Sequence, residues 1–354
     1  MEQLWEINMI KRRETELDIL RIIALLAVIL IHALGMFDDE FSVANTNYKI
    51  LTFISAIITW QVPVYVMISG RFFLDTERKI TVRKIINSVL RLVIAFVVWN
   101  IVYQTYYILN GTYNNLNIKG ILSQAIIGPY HFWFLYMLIC LYAIVPFLRK
   151  ISENKRLMEY FIILFLLFEF VTYYGTELPL IGSTVADVLV KTNFHFAIGY
   201  SGYYILGYYL YKYKLPNKFE FLLYGVAAVL LVATGTATVY RASIEGFNGE
   251  WFTKYLMPNI VVEASAIYVF FTKRVSKHQF SDKAVKIITK LSEYSFGVYL
   301  VHALVAQIIA DFVPIPNSVN PLFVLFVDIF IVFAISNIIV WLLRFIPMIG
   351  KKIT

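Results

Sequence analysis

Two side chains that could do chemistry stand 11 residues apart in one apolar stretch: Arg21 and His32. At about 100° per residue, 11 helical steps are close to three whole turns, so both project from one face, roughly 16 Å apart along the axis. An imidazole gains and loses a proton near neutral pH, which suits general-base work on a hydroxyl. A guanidinium keeps its charge and grips phosphate through paired hydrogen bonds. Asp18, three residues before Arg21, lies on the same face and can pair with it. The plainer alternative has Arg21 snorkelling to phospholipid and His32 as a polar residue in a helical core.

Other polar residues interrupt apolar sequence. His131 heads the aromatic cluster of Trp133, Phe134 and Tyr136. It either binds a sugar ring or caps an interfacial aromatic anchor. His302 reads as a core hydrogen-bonding group that could approach His32. Glu263, with Asn259 one turn before it, is either buried against a basic partner such as Arg91 or lines a substrate path. Glu169 is a similar case. His195 and the run Tyr200, Tyr203, Tyr204, Tyr208 and Tyr209 read as interfacial and packing aromatics. Ser295 and Gly297 read as a close helix contact. His278, in a basic loop, reads as solvated.

The elements that must hold these residues are membrane helices. The chain has 354 residues, 60% hydrophobic and 15% charged. Soluble domains carry about 25% charge, so this chain has too little to cover a water-facing surface. Apolar runs near 17–36, 50–70, 85–108, 130–148, 157–175, 194–211, 220–240, 255–272, 292–312 and 321–343 each approach the ~20 residues of a membrane span. The 255–272 run is the weakest, because Pro258, Asn259 and Glu263 interrupt it. The first run follows Lys11, Arg12 and Arg13 but is too long for the core of a cleavable signal, so it is expected to stay as a span.

Charge sets the orientation independently. With the N-terminus inside, cytoplasmic segments hold 24 of the 31 Lys and Arg residues, outer segments hold five, and Arg21 and Arg91 lie within spans. Basic residues mark the cytoplasmic side. The outer side carries Asp38, Asp39 and Glu40 after the first span. The expected fold class is therefore all-α: a polytopic membrane helix bundle of about ten transmembrane helices, both termini cytoplasmic. It forms a single domain over 1–354, with a cytoplasmic segment 1–16 and tail 344–354.

Several classes drop out. Cys140 is the single cysteine, so no intramolecular disulfide and no multi-cysteine metal site can form. The net charge of +8 punctuates hydrophobic runs and makes no continuous stripe, so no nucleic-acid partner is expected. No zinc spacing, P-loop, dinucleotide fingerprint or Gly-x-Ser-x-Gly elbow stands at a usable position.

Four motifs in chain order resemble the acyltransferase-3 family of membrane acyltransferases. The first is Arg21, ten residues, then His32. The second is Val62-Pro63 leading to Ser69-Gly70-Arg71, similar to that family's Pro-containing second helix. The third is His131-Phe132-Trp133-Phe134-Leu135 at the start of a middle helix. The last is Ser295-Phe296-Gly297-Val298-Tyr299-Leu300-Val301-His302. Departures concentrate in the basic segments. Arg91 fits one arginine of a paired motif in the third helix, but Ser88 stands where the other belongs and Ala95 near an expected proline. Arg83 and Lys84 lie earlier and are expected to supply the charge. Arg71 replaces the usual Phe after Ser-Gly.

The resemblance implies transfer of an acyl group, acetyl above all, from cytoplasmic acyl-CoA to a hydroxyl of a cell-surface glycan or its lipid-linked precursor, in the plasma membrane. His32 and Arg21 would be the catalytic pair. Arg21, Ser69, Arg71, Arg83, Lys84 and Arg91 would hold the acetyl-CoA donor, and His131, Trp133, Glu263 and His302 would hold the acceptor. No metal is expected. The alternative is a transporter or flippase for a glycolipid or small metabolite, although inverted repeats with paired broken helices are not evident.

Overall fold

The computed structural model describes residues 14–35, 43–113, 117–192, 199–313, 320–347 and 350–354. Among them the secondary structure is helical throughout, without strands. The helices are α1 (Thr15–Gly35), α2 (Thr46–Ile57), α3 (Gln61–Phe73), α4 (Val82–Leu109), α5 (Ile118–Ile127), α6 (Trp133–Ser152) and α7 (Lys155–Phe170). There follow α8 (Gly182–Thr192), α9 (Tyr200–Lys212), α10 (Asn217–Glu245), α11 (Pro258–Lys273), α12 (Asp282–Phe312), α13 (Pro321–Leu343) and α14 (Gly350–Ile353). His195, Lys11 to Arg13 and the acidic triplet Asp38 to Glu40 lie outside the described residues.

Eight helical segments are long and apolar enough to cross a membrane, α2 and α3 counting as one bent span. The protein is a multi-pass membrane helix bundle. The bend at residues 58–60 precedes Pro63, which cannot donate to the Thr59 carbonyl and crowds it. Two of the ten expected spans are shorter than expected. The sixth is α9, with 13 residues, and the eighth is α11, with 16. At 1.5 Å per residue they rise about 20 and 24 Å, less than the ~30 Å of hydrocarbon. They tolerate this because they lie inside the protein. Every residue from Ser201 to Tyr208 is buried, and most of α11 is too. Pro258, which looks like an interruption in the sequence, is the first residue of α11, where its missing N–H leaves nothing unsatisfied.

The apolar windows of α1, α2–α3 and α12 are more than half buried, whereas those of α7, α10 and α13 are buried by about a fifth. The first set forms the centre with α9 and α11, and the second is a lipid-facing shell. At the centre α3 and α9 cross at backbone contact. A Cβ on Gly70 would strike the Tyr204 backbone, and one on Gly207 the Met67 backbone. With little hydrophobic drive between helices in lipid, such close approach supplies the association energy.

A buried ionic cluster ties the end of α3 to neighbouring elements. Arg71 bonds Asp75 at 2.8 Å and Glu14 at 2.9 Å, and its guanidinium lies 3.6 Å from the Tyr211 ring centre. Arg78 joins both carboxylates. Burial by itself would raise the Asp75 carboxyl, but hydrogen bonds from Arg71, the Glu77 backbone and Arg78 outweigh it and hold it below its ordinary value. Arg149 of α6 caps the Phe73, Asp75 and Arg78 carbonyls.

Candidate active site

One cavity of about 650 Å³ runs through the central helices, within the size range of small-molecule sites. Both Arg21 and His32 line it, as one helix face requires. Its two ends differ in chemistry.

The basic end gathers Arg21 from α1, Arg91 from α4, and Arg344 and Lys351 from the last described segments, beside Ser88, Ser292 and Glu293. Asp18 and Ser292 steady Arg21: its Nη1 is 3.0 Å from Asp18 Oδ1, which also accepts from Ser292 Oγ at 2.6 Å. The Arg21 guanidinium also lies 5.0 Å from the Phe72 ring centre. Arg91 donates to the main-chain oxygen of Thr354 at 2.7 Å and lies over Phe296 at 5.2 Å. Arg344 is 3.8 Å from the Glu293 carboxylate and covers Tyr294 at 4.4 Å.

The opposite end gathers three histidines from distant parts of the chain. His32 comes from the last turn of α1 and His302 from the middle of α12. His131 comes from the 3₁₀ turn Tyr130–Phe132 that precedes α6. His32 Nδ1 is 2.7 Å from His302 Nε2, the rings are inclined by only 12°, and His302 Nδ1 is 2.7 Å from the Tyr299 carbonyl oxygen. The His131 ring centre lies 6.0 Å from that of His32 and 5.3 Å from that of His302. Tyr299 donates to the His131 carbonyl and holds the turn. Tyr103 donates to the Leu300 carbonyl at 3.0 Å, accepts from the Leu304 N–H at 2.9 Å and stands 3.5 Å from His131 Nε2. His131 Nδ1 is buried without a hydrogen-bond partner. Trp133 lines the same end and stacks on Tyr255, centroids 5.5 Å apart. Among the described residues, no group of three His, Cys, Asp or Glu side chains is arranged to hold a metal ion.

Between the ends the wall is Tyr65, Ser69, Phe72, Phe134 and Tyr142. Tyr65 donates to the Arg21 carbonyl at 2.8 Å.

Of the donor-binding candidates, Arg21, Ser69 and Arg91 line the cavity; Arg71, Arg83 and Lys84 do not. Arg71 is consumed by the buried ionic cluster. Arg83 and Lys84 are exposed in the first turn of α4. Of the acceptor-binding candidates, His131 and Trp133 line the cavity, and His302 stands behind His32. Glu263 lies elsewhere. It accepts from Thr234 of α10 at 3.0 Å, and Asn259 bonds the same hydroxyl at 2.9 Å, so Arg91 is not its partner. Glu169 accepts from the Gly199 N–H at 3.2 Å. Arg344, Lys351, Tyr65, Tyr142 and Tyr255 escaped sequence reasoning. Of these Arg344 and Lys351 had a signal, their place in the basic segment after the last span, on the side assigned to Arg21.

The acyltransferase-3 family model, an acyltransferase domain, matches residues 14–344. The chain belongs to the acyltransferase-3 family. It is a membrane acyltransferase, and the matched range takes in both ends of the cavity except Lys351. No curated protein and no solved structure matches it. As an acyltransferase it must bring an activated acyl carbon to a nucleophile, and the cavity has cationic side chains at one end and imidazoles at the other.

Proposed function

We propose that this acyltransferase moves a short acyl group, acetyl above all, from acyl-CoA to a hydroxyl of a cell-surface glycan or its lipid-linked precursor at the plasma membrane. The observation that carries the reading is the single cavity joining Arg21, Arg91, Arg344 and Lys351 to His32. CoA is an anionic nucleotide on a long neutral arm. Guanidinium groups suit its phosphates, and the apolar and hydroxyl-bearing wall suits its pantetheine arm. The orientation inferred from loop charge puts the cations at the cytoplasmic mouth, where acyl-CoA is made.

In this scheme the thioester carbonyl lies beside His32. The acceptor hydroxyl oxygen attacks it while His32 takes the hydroxyl proton. The carbon–sulfur bond breaks, and the proton passes to the departing thiolate, giving CoA–SH and the ester. Trp133 and Tyr255 offer apolar faces for a sugar ring. The test is His32→Ala in nanodiscs with radiolabelled acetyl-CoA and surface glycan. Transfer should fall by at least about 100-fold with unchanged abundance and folding. Undiminished acylation would overturn the scheme.

A further inference from the structure

We infer that His302 is a positioning residue that fixes the tautomer of His32, so that His32 presents a bare Nε2 to the cavity; this rests on the base role proposed for His32. A neutral imidazole has one N–H donor and one lone-pair acceptor. The Tyr299 carbonyl only accepts, so His302 Nδ1, 2.7 Å away, carries the hydrogen. His302 Nε2 is then the acceptor. Its neighbour at 2.7 Å, His32 Nδ1, must therefore be the donor. One nitrogen is left on His32, Nε2, and it holds a lone pair with no hydrogen.

Other protonation patterns are worse. A hydrogen on His302 Nε2 with Nδ1 bare would set two lone pairs against each other at the Tyr299 carbonyl. A doubly protonated His302 would put a cation at a site only 1% exposed, with no carboxylate hydrogen-bonded to it among the described residues. The near-parallel rings, 12° apart, suit a hydrogen bond lying in both ring planes. The carbonyl that starts the relay is three residues back on the same helix as His302, so the ring orientation is set within α12 and transmitted to α1 through one contact.

The arrangement also helps after the proton moves. When His32 Nε2 takes the acceptor proton, His32 becomes an imidazolium, and its Nδ1–H bond to His302 becomes charge-assisted and stronger. The proton leaves from Nε2 to the CoA sulfur, and both histidines return to their starting forms. His302 touches neither reactant.

The test pairs two variants with a spectroscopic readout. His302→Leu removes the acceptor for His32 Nδ1–H, and His302→Gln keeps one, because the glutamine side-chain oxygen reaches the place of Nε2. With purified protein in nanodiscs, His302→Leu should lower kcat by about 10²- to 10⁴-fold and leave KM for acetyl-CoA within about twofold. His302→Gln should recover kcat to within about tenfold of the parent. Solid-state ¹⁵N NMR, with the His32 signal assigned by its loss in His32→Asn, should show Nδ1–H and bare Nε2 in the parent and in His302→Gln, and a mixture of tautomers in His302→Leu. Parent-like kcat in His302→Leu, equal losses in both variants, or an Nε2-protonated His32 in the parent would each overturn the inference. Full activity in His32→Asn would instead overturn the base role beneath it, and the parent spectrum separates that failure from the others.

Discussion

The two ends of the cavity are built by opposite means. The basic end is charged and braced from within. Arg21 rests on Asp18, Arg91 on the Thr354 main-chain oxygen, and Arg344 beside Glu293. The histidine end carries no carboxylate bonded to its rings among the described residues; its order comes from ring-to-ring, ring-to-backbone and ring-to-tyrosine hydrogen bonds. A charged end suits a ligand that arrives with phosphates. A neutral end suits a base that must gain a proton without a fixed counter-charge already holding one. The comparison extends to two kinds of cation: Arg71, locked in a buried cluster off the cavity, and Arg91 and Arg344, which line the cavity.

The largest effect expected on breaking this division is on stability. Arg71→Met removes the more buried of the two cations that Glu14 and Asp75 share and leaves only the half-buried Arg78 between them, at a cost of about 3 kcal/mol. Thermal unfolding in nanodiscs should show a large drop, while surviving protein keeps its KM for acyl-CoA. A raised KM at parental stability would return Arg71 to the donor site. Acid should mimic the change in part. The folded Asp75 carboxyl is held below its ordinary value of 3.8, so its stabilisation is present above that value and is lost as pH falls through the depressed one. The gap in unfolding midpoint between Arg71→Met and parent should therefore narrow below about pH 4.

Next in size is His131→Leu. It removes the ring packed against both His32 and His302 at the neutral end, and kcat should fall by about 100-fold with the acyl-CoA KM unchanged. A KM effect alone would mean the two ends do not divide the labour. At the charged end, Arg91→Gln and Arg344→Gln should each raise the acyl-CoA KM by roughly tenfold, the value of one charge-assisted hydrogen bond. Added salt should shrink that difference. The smallest effect is expected for Arg83→Gln with Lys84→Gln. Both side chains are exposed and off the cavity, and kinetics within about twofold of the parent would sharpen the contrast with Arg91 and Arg344.

How far the sequence could be read depended on whether a feature was local. Helical periodicity is local, so the shared face of Arg21 and His32 needed only their spacing, and both residues line one cavity. A helix start is local too, yet Pro258 misled, because a proline that opens α11 and one that breaks a longer span look alike without the neighbouring turn. Glu263 shows the limit. A carboxylate in an apolar run announces a partner but does not name it, and the partner came from α10, 29 residues away. The cavity's cations beyond Arg21 and Arg91 are Arg344 and Lys351, more than 250 residues past Ser88, and not its neighbours Arg83 and Lys84.

By itself the sequence determined that the protein is a helical membrane bundle, that Arg21 and His32 share a face, and that four ordered motifs link it to one family. Those follow from hydropathy, from 3.6-residue periodicity and from residue identity, which need no long-range contact. Only the tertiary structure decided which cations reach the cavity, that α9 and α11 are short because they are sheltered from lipid, and that His302 stands 2.7 Å behind His32. Each of these depends on how α1, α3, α9 and α12 pack. That packing turns on contacts such as Gly70 against Tyr204, which residue spacing along the chain does not encode.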